Sequence, residues 1–81
     1  MNWQHTDRSE NDYRRAPAEI RKAFNKQARP LSANLQHPSL RAKKYDEAQD
    51  LWQARVTRDW RFYFVIRGDL YIVVTIVRHP K

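Results

Sequence analysis

The hydrophobic periodicity changes once along the chain, and this change limits the possible folds more than any other feature. Residues 7 to 35 place apolar side chains three and four apart, as in amphipathic helices, whereas residues 51 to 78 alternate them, as in strands. Helices followed by strands are typical of an α+β domain with an antiparallel sheet. Because the 81 residues contain neither an internal repeat nor a linker, we expect a single domain spanning 1–81.

The first half predicts two helices. Ser9, with Asp12 three residues later, resembles a capping box and predicts a short helix through Arg15. Pro17 suits the first turn of a second helix, where its missing N–H costs nothing. Pro30 falls within that helix, but the apolar stripe continues in phase beyond it, so we expect one kinked helix that ends at residues 34 to 38. Its charged side carries Arg21, Lys22, Lys26 and Arg29.

The second half predicts three strands, each rich in β-branched and aromatic residues, after residue 51. Gly68-Asp69 fits a two-residue hairpin turn between the last two. Residues 1 to 6 are readable either as a short fourth strand or as a loose terminus. We therefore expect two N-terminal helices packed on a small antiparallel sheet of three to four strands.

The register of the first hairpin decides where the arginines lie. A three-residue loop from Arg58 to Trp60 keeps apolar residues opposite apolar residues, whereas a two-residue loop would mix the faces. That register sets Ala54 opposite Phe64. The next hairpin then sets Arg61 opposite Ile76. The face turned away from the helices is predicted to carry Gln53, Arg55, Arg61, Tyr63 and Arg78.

The charge balance indicates a polyanionic partner. Sixteen Lys and Arg against nine Asp and Glu give a net charge of +7, which favours nucleic acid or an acidic protein. Arginines interleaved with Tyr63 suit a phosphate backbone and stacked bases. The alternative is a solvated face whose charges keep the sheet edges soluble. Lys43-Lys44 is a weaker basic signal, typical of a solvated loop.

Several classes of function are excluded by composition. With no Cys, the chain has no disulfide, thiolate nucleophile or Cys-based metal site, and a single Gly excludes glycine-rich phosphate loops. His5, His37 and His79 lack ligand spacing, so we expect neither a metal site nor a cofactor. The longest apolar stretch is too short to span a bilayer, and no secretory signal opens the chain. We expect a cytoplasmic protein without membrane contact.

Three blocks in order carry a resemblance to a known family. They are HPSLRAKKY at 37–45, LWQARVTRDWRFYFVI at 51–66 and GDLYIVVTIVRHPK at 68–81. Together they resemble the RelE/ParE superfamily of toxins from type II toxin–antitoxin systems, nearest to its RelE and YafQ mRNA-interferase branch. The resemblance covers residues 12 to 81, and W-x-x-R-V-x-x-D-W-R is its most specific part.

The resemblance implies a fold, an activity and partners. Such toxins pack two N-terminal helices on a small twisted antiparallel sheet. Most cleave mRNA in the ribosomal decoding site without a metal, and thereby inhibit translation. A cognate antitoxin wraps around them. The expected partners are therefore an antitoxin, the ribosome and mRNA, with a possible toxin–antitoxin hetero-oligomer.

The resemblance also assigns residues by position. Arg61 matches the strand arginine that stabilises the scissile phosphate in RelE-type members, and Arg55 falls at a basic or histidine position on the preceding strand. Asp59 and His37 match an acid and a histidine used by YafQ-type members. His79 matches their C-terminal histidine, the expected proton-transfer group. Arg61, His79, Arg55 and Asp59 form the expected catalytic set. The expected substrate-binding residues are Lys43, Lys44, Arg78, Tyr63 and His37.

Elementary chemistry is compatible with this assignment. RNA cleavage through its own 2′-hydroxyl needs a base, a group that stabilises the phosphorane and an acid, and these roles need no metal. A ParE-type poison of DNA gyrase is the first alternative, although such a binder has no chemical need for Asp59 and His79. The second is a catalytically crippled antitoxin-binding relative. It arises because the family's last segment continues to an aromatic residue, whereas only Pro80 and Lys81 follow here.

Overall fold

The computed structural model describes residues 2–33, 42–68 and 70–78. Strand β1 (Asn2–His5) is followed by helices α1 (Asp7–Arg15) and α2 (Ala18–Ala33). Strands β2 (Lys43–Asp46), β3 (Leu51–Thr57), β4 (Trp60–Arg67) and β5 (Leu70–Arg78) complete the described elements. Neither helix is long and apolar enough to cross a membrane within these ranges.

All five strands form one sheet in the order β1-β5-β4-β3-β2. The α+β class, with two helices on a sheet, is confirmed. The sheet is larger than expected and mixed, because β1 pairs in parallel with β5 while the other pairs are antiparallel. Lys43 and Lys44, expected to lie in a solvated loop, belong instead to the edge strand β2, which pairs with β3.

Helix α1 begins earlier than the capping-box pattern predicted. The N-cap is Thr6, whose hydroxyl accepts a hydrogen bond from the Ser9 amide at 3.1 Å and donates one to the Val74 carbonyl at 2.9 Å. Ser9 lies inside the first turn and is fully buried. The prediction that Ser9 caps the helix is therefore wrong. The hydroxyl that accepts from the first turn belongs to Thr6, and its hydrogen bond to β5 holds it in place.

Helix α2 includes Pro30, so the prediction that a single helix continues past this residue is confirmed. Ile20 and Phe24 are buried on its apolar side, as its spacing predicts. The Phe24 ring meets Phe62 of β4 edge-on at 5.0 Å, which fixes the helix against the sheet. The helix end expected at 34 to 38 lies outside the described residues.

Trp3 packs β1 against the hydrophobic core. Its ring contacts those of Phe24, Phe62, Phe64 and Tyr71 at 5.1 to 6.4 Å. Phe62, Phe64 and Val73 are completely buried beneath the helices. Burial of one such side chain contributes about 1.5–3 kcal/mol, so this aromatic cluster anchors α2 and β1 to the sheet.

The first hairpin differs from the predicted one. Its turn is the two residues Arg58 and Asp59, and a bulge lies between Arg55 and Thr57. Ala54 therefore faces Phe62, not Phe64, and the predicted register is wrong by two residues. The bulge adds one residue to β3, which brings the apolar residues of β3 opposite those of β4 although the turn has only two residues.

A second irregularity, between Tyr63 and Phe64, separates two arginines that were predicted to share a face. Arg61 pairs with Val77 instead of Ile76, while Arg78 pairs with Trp60. Arg61 shares the face of Val77, its opposed partner, whereas Arg78, the next residue of β5, points to the other face. Arg61 and Arg78 therefore lie on opposite sides of the sheet. The face turned away from the helices, called the open face below, carries Lys43, Gln53, Arg55, Arg61 and Tyr63.

Candidate functional site

Arg55 and Arg61 lie directly opposite each other on the open face. Like charges at opposed positions destabilise an antiparallel pair. The β3–β4 turn offsets part of this cost, because Arg61 Nη1 donates to the Thr57 carbonyl at 2.7 Å. It also lies 3.0 Å from the Trp60 carbonyl and 3.1 Å from that of Arg58. The turn thus holds a guanidinium in a fixed place on the sheet.

This arrangement concentrates positive charge on the open face. A guanidinium presents paired donors that suit two oxygens of one phosphate. Arg61 sits on a strand and is held by backbone carbonyls, so little reorganisation is needed when charge develops on a bound group. Arg55 places a second cation beside it.

An aromatic pair extends the open face from the arginines towards the β2 edge. Gln53 is only 8% exposed, and its Nε2 donates to the Tyr63 hydroxyl at 2.8 Å. The Tyr63 ring contacts the Tyr45 ring at 5.0 Å with an interplanar angle of 73°. The sequence pattern predicted Tyr63 on this face but did not identify Tyr45, because the two lysines directly before it were interpreted as part of a loop. The available signal was an aromatic residue directly after two lysines.

The two neighbouring lysines point to opposite sides. Lys43 is exposed and lies opposite Gln53 on the open face. Lys44 lies opposite Trp52, with Nζ 4.9 Å from that ring's centroid, and forms an ion pair with Asp50. The hydrogen bond and charge of Lys44 lower the pKa of the Asp50 carboxyl. Only Lys43 therefore joins the arginines.

Asp59 and Arg78 line a cavity of about 610 Å³ at one end of the sheet. Pro17, Ile20 and Trp60 also line it, which places it on the side of the helices. The Asp59 amide donates to the Thr57 hydroxyl at 3.3 Å, so Asp59 belongs to the same turn that holds Arg61. The structure thus brings Arg55, Arg61, Tyr63 and Lys43 together on the open face, and places Arg78 and Asp59 at the cavity on the side of the helices. His37 and His79 lie outside the described residues.

The described histidine, His5, has a structural environment. His5 Nδ1 and Ser9 Oγ form a hydrogen bond of 2.9 Å, and Ser9 Oγ also lies 3.2 Å from the Thr6 carbonyl oxygen. The ring also contacts Tyr13 and Phe24. Burial lowers the pKa of His5, and the charge of Glu10 partly opposes this shift. Within 2–33, 42–68 and 70–78, no three His, Cys, Asp or Glu residues are grouped to hold a metal ion.

Comparison with known proteins identifies the fold. By sequence, neither a protein-family model nor a curated protein matches the chain. By structure, a YoeB/ParE toxin from Agrobacterium tumefaciens superposes with a TM-score of 0.82 at 20% identity, covering 99% of this chain and 100% of that one.

Other toxins superpose at similar scores. The RelB-RelE antitoxin–toxin complex from Methanococcus jannaschii gives 0.76 at 18% identity, with 93% of this chain and 88% of that chain covered. YafQ from E. coli gives 0.74 at 14%, with 94% and 90% covered. The chain has the RelE/ParE toxin fold, as its sequence blocks indicated.

Proposed function

We propose that this chain is the toxin of a type II toxin–antitoxin system and cleaves mRNA on the ribosome, in the cytoplasm, without a metal. The observation that carries the proposal is the opposed pair of Arg55 and Arg61 on the open face. Such a pair costs stability, and an anion bound between the two charges offsets this cost. The RelE/ParE fold supports the toxin role, because its structural neighbours are toxins of this class.

In the proposed reaction the 2′-oxygen attacks the adjacent phosphorus, and the bond from phosphorus to the 5′-oxygen breaks. Arg61 stabilises the charge that develops on the phosphorane oxygens, and Arg55 binds beside it. His79 and Asp59 are the proposed acid–base pair: one takes the proton of the 2′-hydroxyl and the other protonates the leaving 5′-oxygen.

The remaining proposed contacts divide between the two sides of the sheet. Lys43 and Tyr63 share the open face with the arginines, so we assign them to the RNA next to the scissile phosphate. Lys44 and Arg78 lie on the side of the helices, and we assign them to flanking RNA or the ribosome. His37 completes the proposed substrate contacts. The proposed regulatory partner is an antitoxin protein, as in the RelB-RelE complex.

Induced expression in a bacterial host distinguishes this function from gyrase poisoning. An mRNA-cleaving toxin should stop amino-acid incorporation within minutes and leave DNA intact, and the Arg55→Ala, Arg61→Ala double variant should lose this effect. Lys22→Gln with Lys26→Gln is the matched control, because both lysines are exposed on α2. DNA breaks with continued protein synthesis would instead identify a gyrase poison. An expressed, folded wild type that affects neither process would identify a crippled relative.

A further inference from the structure

We propose that Tyr45 is a stacking platform for one nucleobase of single-stranded RNA bound along the open face. This inference rests on the proposed function and adds a specific contact to it. The platform consists of Tyr45, the Tyr63 ring that supports it, and Lys43 beside it.

The exposure of Tyr45 needs an explanation. It is 59% exposed, and among the side chains described at 3–27, 42–68 and 70–78 it is the one large hydrophobic group so exposed. It also sits at an irregularity of β2, where Lys44 pairs with Trp52 and Asp46 with Leu51, so that Tyr45 is the residue without an opposed partner. Bulges redirect side chains near functional sites. Here the bulge directs the ring across the open face.

The ring is supported as a stacking surface must be. It contacts Tyr63 at 5.0 Å and 73°, an edge-to-face geometry that leaves ring area open to a third aromatic group. Tyr63 in turn is held by the hydrogen bond from Gln53, which is 8% exposed on the strand between them. A pre-positioned ring loses little conformational entropy when a base stacks on it.

The surrounding charge selects a nucleic acid. Lys43 is exposed and shares the open face. The Arg55–Arg61 pair lies next to the Gln53–Tyr63 pair, at the neighbouring same-face positions of β3 and β4 towards the turn that joins them. A base on Tyr45 would thus lie next to a phosphate at the arginine pair. Aromatic rings alternating with cations along a sheet match single-stranded RNA, where each base has a π-face and each linkage an anion.

The test is binding of a fluorescein-labelled octaribonucleotide at low salt, followed by anisotropy. Tyr45→Ala should weaken binding about 10-fold, whereas Tyr45→Phe, which keeps the ring, should bind like wild type. A series of oligonucleotides, each with one abasic position, locates the stacked base. Wild type should lose about 10-fold at one position of the series, and Tyr45→Ala should be insensitive there. Thermal unfolding of each variant verifies the fold.

The outcomes separate this inference from the proposed function. Equal RNA affinity of wild type and Tyr45→Ala would overturn the platform. If that variant instead bound the antitoxin more weakly than wild type, Tyr45 would belong to a protein interface. Cleavage on ribosomes is measured in parallel. Tyr45-dependent RNA binding without wild-type cleavage would support the platform and overturn the nuclease. Cleavage with Tyr45-independent binding would do the reverse.

Discussion

Arg55 and Arg61 combine a cost in stability with a use in binding. Their opposed positions bring two positive charges together on adjacent strands. The backbone carbonyls around the β3–β4 turn accept hydrogen bonds from Arg61 Nη1, and these bonds fix that side chain. A substitution that removes the repulsion should therefore affect stability and RNA affinity in opposite directions.

The variant that tests this is Arg55→Gln. Relief of an opposed like-charge pair should raise the free energy of unfolding by about 0.2–1 kcal/mol at low salt. RNA affinity should fall, because one phosphate contact is lost. Urea unfolding and oligonucleotide anisotropy measure the two effects. Lys22→Gln, the same charge change on exposed α2, is the control. If Arg55→Gln lowered stability, the opposed arginines would not be in conflict.

His5 predicts the pH dependence of stability. Burial holds the pKa of His5 in the folded protein below its unfolded value, so the unfolded chain binds more protons in that range. The contribution of His5 is complete above the unfolded pKa and is lost as the pH falls through the window down to the folded pKa. His5→Asn should therefore flatten the decline in stability between about pH 7.5 and pH 5. Urea midpoints across this range test it, and an unchanged slope in the variant would contradict it.

At the scale of elements, Asp12 couples α1 to the irregular part of β5. Its Oδ2 accepts from the Thr75 hydroxyl at 2.6 Å and from the Ile76 amide at 3.2 Å. Both donors adjoin the register shift that moves Arg61 opposite Val77. The helix thus satisfies polar groups that the bulge leaves outside the ladder.

Asp12→Ala should lower the free energy of unfolding by about 1–3 kcal/mol, because two part-buried donors lose their acceptor. Asp12→Asn keeps an acceptor oxygen and should cost less. Arg14→Ala, which removes an exposed i,i+4 ion pair with Glu10 on the same helix, should cost at most about 1 kcal/mol. Chemical unfolding of the three variants gives the order. An Asp12→Ala cost no larger than that of Arg14→Ala would exclude the coupling.

The two helices and the three long strands could be predicted from the sequence, but the pairing register of the strands could not. Periodicity located both helices and the three long strands, and alternation alone placed Arg55, Arg61 and Tyr63 on one face. The bulge in β5 opposite Tyr63 and Phe64 reverses which residues of β5 face the helices. No Gly or Pro marks this bulge in the sequence, so Arg78 was assigned to the wrong side of the sheet. Residues 43 to 46 are too short for alternation to identify, and Tyr45 was missed with them. The pairing of β1 with β5 joins distant segments, which local patterns do not report.

At the scale of the whole molecule, the net charge of +7 predicts how a partner binds. We expect an acidic antitoxin that is partly disordered alone and covers the open face. Co-purification from the native operon at low salt should recover it, and affinity should decline as salt rises because the Debye length shortens. Recovery of no partner at low salt would contradict this expectation. Salt-independent affinity would show that apolar contacts, not charge, hold the complex.

The positive charges of the molecule lie on two separate surfaces. Lys22 and Lys26 are exposed on α2, whereas Arg21 donates to the Ala16 carbonyl at the end of α1 and is not merely solvated. Arg55 and Arg61 lie on the other side of the sheet. If the open face is the RNA site, substitutions of the α2 lysines should leave RNA affinity unchanged, whereas substitutions of the two arginines should lower it. Both sets of substitutions change the net charge by the same amount.

Single-turnover cleavage of mRNA on programmed ribosomes tests the central claim most directly. Wild type, Arg61→Ala, Arg61→Lys and the Lys22→Gln, Lys26→Gln control are compared, and ribosome binding is measured separately. Loss of the guanidinium should slow cleavage by about 10²–10³ with binding nearly retained. Arg61→Lys should recover little of this loss, because an ammonium lacks the paired donors. The helix variant should cleave like wild type. Cleavage that survives Arg61→Ala unchanged would contradict the account.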